Sequence, residues 1–260
     1  MPQQIVSLWV GGALGTIERL SLRSFVAHGH PVAVYSYAEI GGVPSGVEQR
    51  DAAQVLPEAM AMRLRYANGS YALFSNMFRM ALQQRGLGLW VDADVVALRE
   101  LDIDGPFVVG RESDRFLNGA ILKLSPDSPV LLDWLEMAAS GTVPPWLPFH
   151  RAPKAWVRQA LGRTIHPSEL PFGTFGPKSI TALAARHGLT DKAQPEPVFY
   201  PLHPRQAERL YDQTLRLDDI VTTETRTIHL WNEKLGALKK TMPPQGSILA
   251  ELLRRYPEQR

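Results

Sequence analysis

The chain contains no cysteine, which excludes disulfides, thiolate nucleophiles and zinc–thiolate sites and leaves any metal to oxygen ligands and imidazole. Long hydrophobic runs are also missing: no stretch approaches the roughly 18 apolar residues of a membrane span. The segment from Met1 to Val10 has no basic region followed by a long apolar run, so no signal peptide is expected. Nor is there an excess of one charge. A formal net charge of +2 does not make the concentrated basic footprint of a nucleic-acid binder. Internal repeats and low-complexity tracts are absent as well. A cytoplasmic protein is the expectation, with at most peripheral contact at the inner face of a membrane. A late basic cluster of Lys234, Lys239, Lys240, Arg254, Arg255 and Arg260 reads as a solvated face, with an anionic membrane surface as the other reading.

What is present is the profile of a globular protein, 260 residues with 45% apolar and 21% charged residues, and one α/β domain accommodates it. Ile5 to Val10 is an apolar run ending at Gly11-Gly12 and predicts a buried strand. Thr16 is placed to cap a helix carrying Ile17, Leu20 and Phe25 and stopping near His28-Gly29. Pro31 to Tyr37 then reads as a second strand. This strand–helix–strand start favours parallel pairing. A helix follows from near Ser70 to Gln84, with Phe74, Met77, Phe78 and Ala81 facing inward and Gly86 and Gly88 ending it. Strands are expected at Leu87 to Val91, Phe107 to Val109, Gly119 to Leu124 and Thr227 to Trp231. Helices are expected at Ser128 to Ala139 (capped by its serine), Lys178 to His187 and Ile248 to Arg255. Thr142 to Pro153 is proline-rich and irregular; its Trp146, Phe149, His150 and Arg151 suggest a substrate-facing loop.

The chemistry concentrates in Leu87-Gly-Leu-Trp-Val-Asp-Ala-Asp-Val95. An apolar strand feeds Asp92 and Asp94, and side chains two apart on an extended segment share a side. The carboxyl ends of strands in open α/β sheets are where ligands sit. Two close carboxylates repel unless a cation or proton intervenes, and a hard divalent ion such as Mn²⁺ or Mg²⁺ answers that need. On spacing alone, an ordinary turn with two solvated aspartates fits equally well.

Context extends the motif. Ser75-Asn-Met-Phe-Arg79, a helix, glycines and then Trp90-Val-Asp-Ala-Asp94 together resemble the sugar-binding DxD region of the retaining GT-A glycosyltransferases. Within that group the likeness is to the capsular-polysaccharide and α-1,4-galactosyl or N-acetylglucosaminyl transferases, and more distantly to the large clostridial glucosylating toxins. Ile5 to Gly12, Phe116-Leu-Asn-Gly-Ala-Ile-Leu122 and Ile228-His-Leu-Trp-Asn232 resemble further family stretches in the same order, so the likeness runs from Ile5 to Asn232. Gly176-Pro177-Lys178 also matches a family loop near the site.

The resemblance implies a GT-A-like single α/β domain with a mixed, mostly parallel central sheet flanked by helices. A nucleotide-binding part would span 1–125 and an acceptor-side, closing part 126–260. It further implies transfer of a sugar, with retention, from a UDP-sugar donor to a saccharide acceptor in surface polysaccharide assembly, with Mn²⁺ (or Mg²⁺) as cofactor. Asp94 would bind the metal, Asp92 would assist or bind sugar hydroxyls, and His229 would be a late ligand, which suits Mn²⁺. Trp231 would donate its indole N–H to a phosphate, Trp9 would stack on the base, and Arg79 would fork onto sugar or phosphate oxygens. Ser75, Asn76, Trp90 and Asn232 would complete the donor site, and Asn118 would bond the sugar near the reacting carbon. Four of these have a plain structural alternative: a core tryptophan for Trp9, a helix arginine paired with a glutamate for Arg79, a turn asparagine for Asn118, a strand histidine for His229. One departure stands out. The family's aspartate after the serine is Asn76 here, which leaves the identity of the sugar open.

Two rival classes remain. The same Asp-Ala-Asp fits the haloacid-dehalogenase-like phosphatases, with Asp92 as nucleophile, Asp94 as acid–base and Asp218-Asp219 as the late acidic pair. That motif normally opens its fold, whereas here it lies deep in the chain. The other rival is a binding module that keeps the fold without turnover.

Overall fold

The computed structural model describes residues 2–66 and 69–258; Met1 and Arg260, both used above, lie outside them. In chain order the elements are β1 (Ile5–Leu8), α1 (Thr16–Ala27), β2 (Val32–Ser36), β3 (Val47–Asp51), α2 (Glu58–Arg63), α3 (Ala72–Gln84), β4 (Leu89–Val91) and β5 (Val95–Ala97). There follow β6 (Phe107–Ser113), β7 (Phe116–Leu124), α4 (Pro129–Ala139), α5 (Pro153–Ala160), α6 (Pro177–Arg186), α7 (Glu196–Phe199), β8 (Thr227–His229), α8 (Asn232–Leu235) and α9 (Ile248–Arg255).

Six strands form the central sheet in the order β3-β2-β1-β4-β7-β6. The pairings β3–β2, β2–β1 and β1–β4 are parallel, while β4–β7 and β7–β6 are antiparallel. The central strands are buried on both faces, which the period of two makes visible. Ile5, Val32, Val34, Leu89 and Val91 face one core with Leu20 and Phe25 of α1 and Leu249 and Leu252 of α9. Val6, Ala33, Tyr35, Trp90 and Leu122 face the other, with Phe74 and Phe78 of α3, Trp134 of α4 and Ile180 of α6. Helices therefore cover a mixed α/β sheet on both sides, as expected from the opening strand–helix–strand unit.

The chain adds β2 and β3 on one side of β1 and then returns to lay β4 on the other. That reversal is a topological switch point, and it opens a crevice at the carboxyl ends of β1 and β4. A second, two-stranded sheet pairs β5 with β8, with Val95 opposite His229.

Several local expectations are corrected. Thr16 does not cap α1: Gly15 holds the N-cap position, and a side chain at Gly15 would collide with the Glu18 carboxylate that folds back toward it. Ser128 sits at the N-cap of α4, but its side chain accepts no bond from the first turn. Met77 is only partly buried, because the inward stripe of α3 runs through Leu73, Phe74, Phe78 and Leu82. The strands read at Phe107 to Val109 and Gly119 to Leu124 are halves of longer ones, which meet as a hairpin through Asp114 and Arg115. Gly86 closes α3 by donating its N–H to Gln83 C=O, but Gly88 serves the next strand instead. It has φ +134°, and a Cβ there would lie 2.7 Å from the carbonyl oxygen of Gln4. Only glycine lets β4 enter beside β1 so closely. Gly88→Ala should therefore lower stability by about 1–3 kcal/mol in denaturant titration; an unchanged midpoint would contradict this reading of β4.

Candidate functional site

At the switch point the crevice becomes a cavity of about 1060 Å³. Its wall includes the turn after β4, one face of α3, the β6–β7 hairpin and the segment after β8, together with residues at the end of β1, in α1, before and within α6, and around His203. Asp92 still reaches β7, its N–H donating to Ala120 C=O at 2.7 Å, and the backbone then turns, with Val95 N–H donating to Asp92 C=O at 3.0 Å. This tight turn, rather than an extended strand, brings the two aspartates round. The pairing of β5 with β8 then sets His229 beside Asp94, 135 residues earlier in the chain. One ligand atom from each of Asp92, Asp94 and His229 lies within 4.8 Å of the others.

Each carboxylate already has a nitrogen partner. Asp92 Oδ1 accepts from Arg79 at 2.9 Å and from the Trp90 indole N–H at 2.6 Å. Arg79 is itself buried, lies 4.9 Å over the Trp90 ring and donates to Gly119 C=O. It is thus not the surface arginine paired with a glutamate that was the plain alternative. Asp94 Oδ1 lies 3.1 Å from His229 Nε2, and its Oδ2 accepts from Asn232 N–H at 2.9 Å. Burial pushes the Asp94 carboxyl up, but the His229 charge, its hydrogen bond and the Asn232 amide outweigh it and hold the group below its ordinary value. For His229, burial alone would lower the imidazole; the charge and hydrogen bond of Asp94 outweigh it and raise it.

The turn that presents Asn232 is strained. Trp231 has φ +52°, the only positive φ at a non-glycine among the described residues, and such strain persists only where the surroundings hold it. They do so here. Trp231 Nε1–H donates to Leu202 C=O at 2.8 Å, and its ring lies on His229 with centroids 3.7 Å apart. Its indole N–H is consequently committed to the backbone and is not offered to a phosphate, a correction to the sequence reading. Trp90 likewise spends its N–H on Asp92, so its role is to aim that carboxylate. Asn232 Nδ2 donates to Glu18 Oε1 at 2.9 Å, whereas Asn232 Oδ1 and His229 Nδ1 are buried without a partner.

Ser75, Asn76 and Arg79 share the cavity face of α3, and Gly176 and Pro177 line the same wall. Trp9 lines it too, half-buried, with its indole N–H on Gly12 C=O at 3.0 Å. Asn118 is buried and both ends of its amide are used: Nδ2 donates to Glu112 Oε2 at 2.5 Å and Oδ1 accepts from Ala120 N–H at 2.7 Å. The proline-rich loop behaves differently from its sequence reading. Trp146 packs on Phe175 and donates to Thr174 C=O, while Phe149 is 60% exposed and neither lines the cavity. Of the late basic cluster, Lys234 turns into the cavity, but Arg255 caps Leu98 C=O elsewhere. Asp218 and Asp219 lie in a turn outside the cavity, where Asp219 accepts from Arg216 N–H.

Sequence reasoning missed Glu18 and Glu112. Glu18 stands in the first turn of the helix that follows β1, and that position beside a switch point is a readable signal. Its carboxyl is pushed up by burial and then by the nearby Asp94 charge. Glu112 was hidden because the strand carrying it was ended at Val109.

No family model matches the chain, and no curated protein matches it. Among solved structures it is similar to a PaToxG glycosyltransferase, with TM-score 0.51 and 15% identity over 74% of this chain and 72% of that one. At that identity the likeness shows the fold, which is GT-A-like.

The Asp94–His229 pair sets a pH signature in metal-free protein. Asp94, lowered, contributes stability above the ordinary carboxylate value of 3.8 and loses it as pH falls through its folded value. His229, raised, contributes fully below the ordinary 6.5 and loses it as pH rises through its folded value. In EDTA, the Tm difference between the wild type and Asp94→Asn should peak between those two values and shrink at both ends. A difference independent of pH would show that the pair is not ionised.

Proposed function

We propose that the chain is a metal-dependent glycosyltransferase that moves a sugar, with retention, from a UDP-sugar to a saccharide hydroxyl. The observation that carries this reading is the meeting of Asp92, Asp94 and His229 on the wall of a large cavity in a GT-A-like fold.

The donor set suits the ion. Two carboxylates and an imidazole are ligands for Mn²⁺ and, less readily, Mg²⁺. The buried, partnerless Asn232 Oδ1 beside Asp94 is a further oxygen of the right kind. Asp92, Asp94 and His229 would hold the ion. When bound, it supplies Lewis-acid stabilisation of charge on the departing diphosphate.

The chain's own residues supply the rest. Arg79 and Trp90 fix Asp92 in one rotamer, and Trp231 and Asn232 do the same for His229 and Asp94. Such preorganisation costs no rearrangement during reaction. Arg205 and Lys234 line the cavity and offer positive charge to a diphosphate. Trp9 offers a ring face to the base, and Ser75 and Asn76 offer hydrogen bonds to the sugar. In the reaction, the bond from the anomeric carbon to the diphosphate oxygen breaks as a bond to the acceptor oxygen forms. The acceptor's proton passes to the departing phosphate on the same face, which gives retention without an enzyme nucleophile.

The phosphatase alternative loses its late acidic pair, because Asp218 and Asp219 do not reach the cavity. A binding module differs from a transferase only in turnover.

Calorimetry of UDP and a UDP-sugar panel with Mn²⁺ should show binding that disappears in EDTA. Asp94→Ala should abolish it and lower kcat/KM for UDP release by at least about 100-fold. Binding of no nucleotide under any of these conditions would end the transferase reading; binding without release of UDP would support the module.

A further inference from the structure

The β6–β7 hairpin carries an irregularity where it meets the cavity. Gly110 pairs with Asn118 and Arg111 with Leu117, but the next pair is Ser113 with Phe116. Glu112 is therefore the extra residue of a β-bulge, with no partner across the ladder. Bulges beside functional sites turn a side chain that a regular strand would place elsewhere. Here the bulge puts Glu112 on the cavity wall, partly exposed, where its Oε2 accepts from Asn118 Nδ2 at 2.5 Å.

The amide that sequence reading assigned to the sugar is spent on this contact. Asn118 Oδ1 is taken by Ala120 N–H, and its backbone carbonyl accepts from Tyr200 Oη at 3.1 Å. Asn118 is thus clamped from three sides and buried, whereas Glu112 keeps a second oxygen, Oε1, for which the described residues supply no hydrogen bond. Glu112 lines the same cavity as Asp92, Asp94 and His229.

We propose that Glu112, presented by the bulge and oriented by Asn118, is the group that reads a hydroxyl of the bound sugar. The assignment rests on the donor-site reading above and deepens it. A carboxylate accepts strongly from hydroxyls, so the sugar it selects is neutral and hydroxylated at the position it touches; a carboxylated sugar would meet like charge from Glu112 and Asp114. Asn118 is a positioning residue, acting through Glu112. The hairpin supplies the acceptor oxygen, while α3 presents the uncharged Asn76.

The test is a coupling experiment with Mn²⁺ present. UDP and the tightest-binding UDP-hexose are titrated, followed by that hexose deoxygenated at each hydroxyl in turn. In the wild type, one deoxy donor should lose roughly 10–100-fold in affinity. In Glu112→Ala the same deoxy donor should bind as well as its parent, with UDP affinity unchanged. Asn118→Ala should reproduce that loss of discrimination, again without altering UDP, which a general folding defect would not do. Glu112→Gln, which keeps an acceptor and the shape, should retain part of the discrimination. If the wild type binds UDP but no hydroxyl is coupled to Glu112, the assignment is overturned and the donor site stands. A loss confined to turnover, with discrimination intact, overturns it too. If the wild type binds no UDP, the donor-site reading fails and takes this assignment with it.

Discussion

The antiparallel pairing of β5 with β8 is the contact on which the site depends. It is short, three residues on each strand, and it joins the turn after β4 to a segment near the far end of the chain. Its register sets His229 opposite Val95, one residue past Asp94. A shift of one residue would send His229 to the opposite face of the strand. The buried core around Val95, Val96, Ile228 and Leu230 holds that register, as does the Leu230 N–H donating to Asp94 C=O at 2.8 Å. The left-handed turn at Trp231 then folds the chain back so that the Asn232 amide reaches the same aspartate.

Electrostatics at this joint differ from the simple picture of two aspartates awaiting a cation. Arg79 pairs with Asp92, and His229 bonds Asp94, so neither carboxylate stands unpartnered. The same arrangement orients the ligands beforehand, because a charge-assisted hydrogen bond to each carboxylate limits its rotation. Three buried atoms of this site lack a partner among the described residues: Arg79 Nε, His229 Nδ1 and Asn232 Oδ1.

The fold and half of the site were legible in the sequence because both follow short-range rules. Short apolar runs marked β1, β2 and β4, and the glycines after β1 and around β4 marked turns, whereas the polar edge strand β3 gave no such signal. Ser75, Asn76, Arg79, Asp92, Asp94 and His229 all reach one cavity, and their order along the chain was the readable signal. What sequence did not reveal depends on partners far away in the chain. Whether an indole N–H is free is decided by Leu202 for Trp231 and by Asp92 for Trp90. Trp146 looked like a recognition residue in an irregular loop, but Phe175 and Thr174 draw it into packing. The bulge at Glu112 has no composition signal, since it exists only as a mismatch between two strands.

The central claim is that a chain contact between β5 and β8 builds a cation site from two carboxylates and one imidazole. Pulsed electron–nuclear resonance on Mn²⁺ bound to uniformly ¹⁵N-labelled protein tests it directly. The account predicts a nitrogen coupling of imidazole type that disappears in His229→Gln while Mn²⁺ remains bound with weaker affinity. Bound Mn²⁺ with no nitrogen coupling in the wild type would contradict it and place the ion away from His229.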